Sequence, residues 1–366
     1  MRREGETPSH GVHRGRAHSS AVEHYLDTVG VTGSIPVAPT IPAPQFPPSL
    51  RKPATLVDQP LPALRDSALF GPALSRLAEA IATIGPEARA GGLDERLTAL
   101  EAALVRLESL PERVIPLGDR VLALTHAGQR IFLDPQDIGI APHIALTGLW
   151  EPGVERLLRR LLRPGQSVVE IGANMGYHTL AMAAAIGPAG RLHAFEAHPR
   201  TASLLAATIA INGLGGFVTL HAAAALDRAG EVTFAEHPSL CGSFHLATEG
   251  TTPDFTARLT VPGVVLDEVL AELPAIHLLR IDAEGSEPLA LRGAAALLAR
   301  SPELILVAEW SPTQMAARAD VAAFADWLLG QGLAAGRILP DGGLAPLHRD
   351  ALLALDHADL VLMRQR

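Results

Sequence analysis

Three acidic residues stand where apolar runs of the sequence end. Glu170 closes one run, Glu196 ends a second, and Asp282 directly follows a third. A carboxylate at the end of a buried strand can accept hydrogen bonds from the hydroxyls of a ribose, or take a proton as a general base. These three residues are therefore expected to bind a ligand and to act on it.

The segment Ser167–Leu180 passes from an apolar run into a turn that contains glycine. Gly172 and Gly176 let the backbone approach a ligand, because no Cβ intervenes. A dinucleotide fingerprint would need a glycine at Asn174. The charge of Glu170 would repel a pyrophosphate, and it suits the amino group and sulfonium of S-adenosylmethionine, directly or through water. The turn predicts such a cofactor site, with Asn174 on the methionine moiety; a turn that serves only packing is the alternative.

Glu196 lies in Ala-Phe-Glu-Ala-His-Pro, at the end of the second predicted strand. A carboxylate there can hold both ribose hydroxyls of a nucleotide. Because dinucleotide enzymes and methyltransferases both use this device, Glu196 predicts a nucleotide and does not say which.

Proton transfer has several candidate residues. Asp282 could be the general base, or could hold a divalent metal with Glu284 and Glu309, since oxygen ligands suit Mg²⁺ and Ca²⁺. Glu284 also lies just before a predicted helix, where acidic residues are favoured for structural reasons alone. His178 has the pKa class of a base near neutral pH but could instead contact the cofactor. His245 could line an acceptor pocket.

The elements that must position these residues alternate between strand and helix. Near-continuously apolar strands separated by Ala/Leu-rich helical patterns predict a parallel sheet that is covered on both faces. The predicted strands are Ser167–Ile171, Arg191–Phe195, Phe217–His221, Ile276–Ile281 and Leu304–Ala308, with two more near Gly336–Leu339 and Asp359–Met363. The predicted helices are Gly153–Leu162, Gly176–Ile186, Arg200–Ile211, Pro288–Ala299 and Val321–Gly330.

The 366 residues divide into three predicted parts. Residues 1–62 are polar and then Pro-rich, which predicts a disordered segment. Ser19–Thr40 resembles a transfer-RNA gene translated on the wrong strand, which leaves open whether the true translation start lies further along. Residues 72–110 carry helical leucine spacing; 93–110 is either a short coiled coil that forms a homodimer or an amphipathic helix folded on its own domain. Residues 114–366 form the main domain.

Composition excludes several classes of function. Acidic residues outnumber basic ones 39 to 30, which argues against a nucleic-acid partner, since phosphates need a basic surface. A single cysteine excludes an internal disulfide and a cysteine-cluster metal site. The sequence contains neither a signal-peptide pattern nor a run of about 20 apolar residues that could span a membrane. A cytoplasmic protein is expected.

Several ordered motifs between about Ile140 and Trp310 resemble the FkbM family of S-adenosylmethionine-dependent methyltransferases. They are Gly148-Leu-Trp-Glu-Pro, Glu170-Ile-Gly-Ala-Asn-Met-Gly-Tyr-His-Thr-Leu, Ala194-Phe-Glu-Ala-His-Pro, Asn212-Gly, Ala224-Ala-Leu-Asp, Gly230-Glu-Val-Thr-Phe, Val265-Leu-Asp-Glu-Val-Leu, Leu279-Arg-Ile-Asp-Ala-Glu-Gly-Ser-Glu and Glu309-Trp. Family members often have Asp where this chain has Glu170, and Lys where it has Arg280. Both replacements keep the charge.

The resemblance implies an α/β class I methyltransferase fold, which is a Rossmann-like sheet of seven strands, mostly parallel with one antiparallel, and with helices on both faces. It implies O-methylation of a hydroxyl on a sugar, glycolipid or polyketide-type small molecule, with Glu151 closing one side of the cofactor pocket. Two alternatives remain: a non-catalytic methyltransferase-like module that dimerises, and a nicotinamide-dependent oxidoreductase.

Overall fold

The computed structural model describes residues 114–236, 240, 244–247 and 257–364. The predictions for 1–62 and for the helical segment 72–110 lie outside these residues. The described strands are β1 (Val114–Pro116), β2 (Val121–Leu124), β3 (Arg130–Leu133), β4 (Ser167–Ile171), β5 (Arg191–Phe195), β6 (Val218–His221), β7 (Ala224–Leu226), β8 (Gly230–Glu236), β9 (His245–Leu246), β10 (Ala257–Val265), β11 (Leu278–Ile281), β12 (Ile305–Trp310), β13 (Leu333–Ile338), β14 (Leu344–Leu347) and β15 (Ala358–Arg364).

Helices connect most of these strands. They are α1 (Ile140–Thr147), α2 (Pro152–Leu161), α3 (Tyr177–Ile186), α4 (Pro199–Ile211), α5 (Leu266–Val269), α6 (Glu287–Arg292), α7 (Ala295–Ala299), α8 (Pro312–Met315), α9 (Val321–Gly330) and α10 (Arg349–Leu353). None of these described helices is long and apolar enough to cross a membrane.

The central sheet has eight strands in the order β14-β13-β15-β12-β11-β4-β5-β6. The strands from β12 to β6 pair in parallel, whereas β15 runs antiparallel to both β12 and β13. The predicted class I α/β fold is confirmed. The sheet has one strand more than the seven predicted, because β14 pairs antiparallel with β13 at the edge.

Both faces of this sheet are buried, as the apolar strands predict. In β4, Val168 belongs to a buried cluster with residues of α2, α3 and α4, whereas Val169 belongs to a second cluster with residues of α6, α7 and α9. Successive side chains of a strand point to opposite faces, so a two-sided core needs apolar residues at nearly every position. A charged residue inside such a strand, as at Glu170, is therefore an exception that needs partners.

One predicted helix differs from the structure. Pro288–Ala299 was expected to be continuous, but it is divided into α6 and α7 at Gly293. A Cβ at Gly293 would lie 2.0 Å from the carbonyl oxygen of Leu226, so the close approach of β7 requires glycine there. The helix is therefore interrupted at Gly293, where the absence of a side chain allows this contact.

Two smaller sheets flank the central one. The antiparallel sheet β1-β2-β3 lies on α4, where Thr208 Oγ1 accepts a hydrogen bond from the amide of Phe132 at 3.0 Å. The second sheet has the order β7-β10-β8-β9 and follows β6 directly in the chain. Neither sheet was among the predicted elements, and the second one supplies part of the cavity wall described below.

Candidate active site

A cavity of about 550 Å³ opens at the carboxyl ends of β4, β5, β11 and β12. This is the edge at which parallel α/β sheets bind their ligands. The predicted site residues that line it are Glu151, Gly172, Asn174, His178, Glu196, Asp282 and Glu284. Glu170 and Gly176 do not line it, and neither does His245, which lies in β9.

The turn after β4 is built by unusual backbone angles. Gly172, Asn174 and Gly176 have φ values of 74°, 51° and 97°, in the left-handed region. A Cβ at Gly176 would lie 2.6 Å from Cδ1 of Leu205, so this glycine allows α3 and α4 to pack closely. Gly172 and Asn174 therefore form the cavity side of the turn, and Gly176 forms its packing side.

Glu196 is held in one orientation by three donors. Its Oε1 accepts from the amide of His198 at 2.9 Å and from Thr201 Oγ1 at 2.7 Å, and its Oε2 accepts from the amide of Asn174 at 2.7 Å. Burial raises the pKa of this carboxyl, although these hydrogen bonds favour its charge. A carboxylate offers about four acceptor positions, so Glu196 retains capacity for a ligand hydroxyl.

Glu170 lies beneath the cavity instead of in it. It is fully buried, and it accepts hydrogen bonds from Thr179 Oγ1 at 2.5 Å and from Arg280 Nη1 at 3.5 Å. Burial raises its pKa to about 7, against the attraction of Arg280 and the hydrogen bond from Thr179. The carboxyl group faces these two partners, and a contact of Glu170 with a cationic ligand, directly or through water, stays a prediction.

Arg280 is the buried cation at the centre of this edge. Its Nη2 donates to Asp282 at 2.9 Å and to Glu151 at 3.5 Å, while its Nη1 faces Glu170 and the carbonyl of Gly172. Burial opposes its charge, but the surrounding carboxylates raise its pKa above the ordinary value. Arg280 was noted in the sequence only as a charge-conserving difference from the family pattern.

Glu151 and His178 form a hydrogen-bonded pair at the cavity wall. Glu151 stands at the start of α2 with a φ of 42°, and its Oε2 lies 2.9 Å from Nε2 of His178 in α3. Burial opposes ionisation of Glu151, but the hydrogen bonds from His178 and Arg280 lower its pKa to about 2. Burial and the charge of Arg280 lower the pKa of His178, so the imidazole is neutral near pH 7.

Four further carboxyl groups line the cavity. Asp282, Glu284, Glu309 and Asp359 all line it, and Glu284 accepts a hydrogen bond from Gln314 Nε2 at 2.7 Å. Asp359 was missed in the sequence, although it precedes the apolar run of a late strand. That strand is antiparallel, so its first residues lie where the parallel strands end.

Aromatic side chains from the second sheet complete the wall. Phe234 and Phe244 line the cavity, and Phe244 stacks on His198 with ring centroids 4.0 Å apart. Glu236 fixes His198 through a contact of 2.9 Å at Nε2. No signal in the sequence separated these residues from ordinary strand residues.

A divalent metal has no arranged site in the part of the chain that the structure describes. No group of three or more His, Cys, Asp or Glu side chains in those ranges is placed to hold a metal ion.

Solved structures with a similar fold are O-methyltransferases and related proteins. An O-methyltransferase from Bacillus cereus in complex with SAH is 14% identical, with a TM-score of 0.36, over 58% of this chain and 80% of that one. TomG from Streptomyces achromogenes, in complex with SAM, is 17% identical, with a TM-score of 0.35, over 61% and 80%. An Agrobacterium tumefaciens SAM-dependent methyltransferase is 13% identical, with a TM-score of 0.36, over 69% and 72%. Because these TM-scores are below 0.5, none of them bears on the function.

The family comparison is more specific. No curated protein matches the chain. Residues 170–333, which run from Glu170 through Asp282 to β13, match the family model described as the methyltransferase FkbM domain. Glu196, after β5, lies within this stretch, and so does most of the cavity edge formed by the ends of β4, β5, β11 and β12. Residues 170–333 therefore form a methyltransferase FkbM domain, which agrees with the sequence motifs and supports an S-adenosylmethionine-dependent methyltransferase.

Proposed function

We propose that the protein transfers the methyl group of S-adenosylmethionine to a hydroxyl oxygen of a sugar, glycolipid or polyketide-type small molecule. The observation that carries this proposal is the set of carboxyl groups that lines the cavity at the ends of β11 and β12. A hydroxyl is a weak nucleophile at neutral pH, so its methylation benefits from a general base at the reacting atom.

The residues present fit the donor. Glu196 and the turn at Gly172 and Asn174 would hold the nucleoside and the amino-acid part, and the excess of carboxyl groups over cations favours a positively charged ligand. When bound, the donor supplies a methyl group on sulfur that is already activated for transfer.

Asp282 is the favoured general base. Arg280 donates to its Oδ2 at 2.9 Å and so holds the side chain in place. Its backbone is fixed as well, because its amide donates to the carbonyl of Ile171 at 3.1 Å. Glu284 and His178 line the same cavity and are the other candidates.

The acceptor class is proposed from the aromatic and the acidic side chains that line the cavity. Phe234 and Phe244 offer an apolar surface for a ring face, and the carboxyl groups offer acceptors for hydroxyls. This combination favours a neutral, hydroxyl-rich acceptor over a phosphate or a carboxylic acid, which the acidic wall would repel.

Calorimetric titration of the full-length protein with S-adenosylhomocysteine and with NAD tests the class of function. Saturable binding of S-adenosylhomocysteine alone is the expected result. Binding of NAD alone would favour the oxidoreductase, and binding of neither would favour a non-catalytic module.

The methyl acceptor is tested with radiolabelled donor and fractions of small molecules from a lysate. We expect label in a neutral, hydroxyl-bearing product, and Asp282→Asn should lower the rate by roughly 100-fold or more. Asp356→Asn, at an exposed position nearby, is the matched control. Equal rates for Asp282→Asn and the wild type would remove Asp282 as the base.

A further inference from the structure

Three carboxyl groups stand side by side on adjacent strands. Ile281 pairs with Ala308, which places the next residue, Asp282, level with Glu309. Glu309 in turn pairs with Asp359 across the antiparallel ladder. In an antiparallel pair such as Glu309 and Asp359, directly opposed residues have Cβ atoms roughly 4.5–5.5 Å apart on the same face of the sheet. We call Asp282, Glu309 and Asp359 the carboxyl row.

The carboxyl row is poorly compensated by positive charge. Arg280 donates a hydrogen bond to Asp282, but it also donates hydrogen bonds to Glu151 and Glu170. His357 Nδ1 lies 3.6 Å from Oε1 of Glu309, and the buried Oε2 of Glu309 has no hydrogen-bond partner. Other titratable groups act on the row from the surrounding elements: Glu151 from the start of α2, His178 from α3, Glu284 from the loop after β11 and Glu287 from α6. Arg318, from the segment after α8, acts on Glu284 and Glu287.

So many like charges cannot all be ionised in one partly buried place. Burial and the charges of Asp282, Glu284 and Glu287 raise the pKa of Glu309 to about 11. Burial and the charge of Glu151 raise the pKa of Asp359 to about 7, and burial also raises the pKa of Asp282, which Arg280 partly offsets. At neutral pH the row therefore holds protons that a nearby positive charge would displace.

We propose that Asp282, Glu309 and Asp359 act as one proton-sharing group, which loses a proton when a sulfonium donor binds and regains one from the acceptor hydroxyl. This inference rests on the proposed function, and it assigns Glu309 and Asp359 a part in the reaction beside Asp282. The positive charge of the donor prepares the base that the reaction needs.

The charges balance over the reaction. The acceptor oxygen bonds to the methyl carbon, and the carbon–sulfur bond breaks with its electron pair remaining on sulfur, which becomes a neutral thioether. The hydroxyl proton passes to the carboxyl row. The row thus gains one proton as the neighbouring positive charge disappears, and its protonation returns to that of the free enzyme.

Proton release on binding tests this inference without turnover. The full-length protein is titrated at pH 7.5 with S-adenosylmethionine and with S-adenosylhomocysteine, each in phosphate and in Tris, and the difference in heat between buffers gives the protons exchanged. The two ligands share their amino and carboxyl groups, so the comparison isolates the sulfonium. We expect S-adenosylmethionine to release roughly one proton more per molecule bound.

Variants test whether the proton is released by the carboxyl row or by other groups nearby. In Asp359→Asn, the proton release that S-adenosylmethionine shows in excess of S-adenosylhomocysteine should fall by half or more. Glu309→Gln should show the same fall, and it replaces Asp359→Asn if that variant does not fold. Asp356→Asn, three residues before Asp359 and exposed, should keep it. Equal proton release for the two ligands in the wild type would overturn the inference, and so would full release in both row variants. The proposed function would still stand in either case, provided that S-adenosylhomocysteine binds. Binding of neither ligand would overturn both.

Discussion

The carbonyl oxygen of Asp282 occupies the space that a side chain at Gly172 would need. A Cβ at Gly172 would lie 1.7 Å from this oxygen, and the φ of 74° at Gly172 is one that other residues rarely adopt. The turn after β4 and the end of β11 are therefore in direct contact. The amide of Asp282 also donates a hydrogen bond to the carbonyl of Ile171, so backbone contacts help to hold the two parts of the site together.

Gly172→Ala should disrupt the site and lower stability by roughly 3 kcal/mol or more, since the added methyl group overlaps backbone that cannot move alone. Thermal unfolding and titration with S-adenosylhomocysteine are the measurements. Gly165→Ala is the matched control: its φ of 86° is similar, but nothing lies within 4 Å of its Cβ. That control should cost about 1–2 kcal/mol from backbone strain alone. Equal effects of the two changes would contradict the contact between Gly172 and Asp282.

The central sheet was predictable because both of its faces are buried. β4 and β5 have the predicted bounds, since continuous apolar runs flanked by turn residues leave little choice of register. The second sheet was not predictable in this way. β8 reads Gly-Glu-Val-Thr-Phe-Ala-Glu, with few apolar residues, and β10 contains Pro262 and Gly263, which argue against a strand.

The candidate site was only partly predictable, because only some of its residues directly follow parallel strands. Glu196 and Asp282 follow parallel strands, and the rule that ligands bind at strand ends places both at the cavity. Asp359 escapes that rule, because it begins an antiparallel strand and reaches the row through its pairing with Glu309. The position of Glu170 beneath the cavity depends on Arg280, which lies 110 residues away in the chain.

Glu196→Gln should weaken binding of S-adenosylhomocysteine by roughly 10- to 100-fold, because a hydrogen bond to a charged group contributes about 1.5–3 kcal/mol. The carbonyl oxygen of glutamine can still accept from the amide of His198 and from Thr201 Oγ1, and only the hydrogen bond from the amide of Asn174 is lost, so circular dichroism should be unchanged. Glu231→Gln, at an exposed position, is the control and should bind as the wild type does. An unaltered affinity in Glu196→Gln would exclude the ribose role.

His178 should be neutral at pH 7, with its proton on Nε2. The carboxylate of Glu151 accepts at Nε2, and Nδ1 is buried without a hydrogen-bond partner. Long-range ¹H–¹⁵N spectra of histidine-labelled protein report this tautomer directly. Because Glu151 raises the pKa of His178 against the larger effect of burial, Glu151→Gln should lower that pKa further, and the exposed Glu268→Gln should not. A rise in Glu151→Gln would contradict the pairing.

Glu287 should make the protein less stable as the pH rises. Its Oε1 accepts from the amides of Ala283 and Gly285 at 2.7 and 3.3 Å, while its buried Oε2 has no partner. Burial raises its pKa to about 7 from 4.5. Between these two values the unfolded chain has lost the proton and the folded chain has kept it, so stability falls with rising pH, by roughly 3 kcal/mol in all.

Glu287→Gln removes this dependence, since glutamine resembles the protonated acid and can still accept from both amides. The drop in melting temperature between pH 5 and pH 8 should therefore be smaller in Glu287→Gln than in the wild type, by several degrees. Other buried carboxyls with raised pKa values, such as Asp359, keep part of the slope in the variant. Glu272→Gln, at an exposed position, should retain the full drop. The same drop in Glu287→Gln as in Glu272→Gln would mean that Glu287 is ionised in the folded protein already at pH 5.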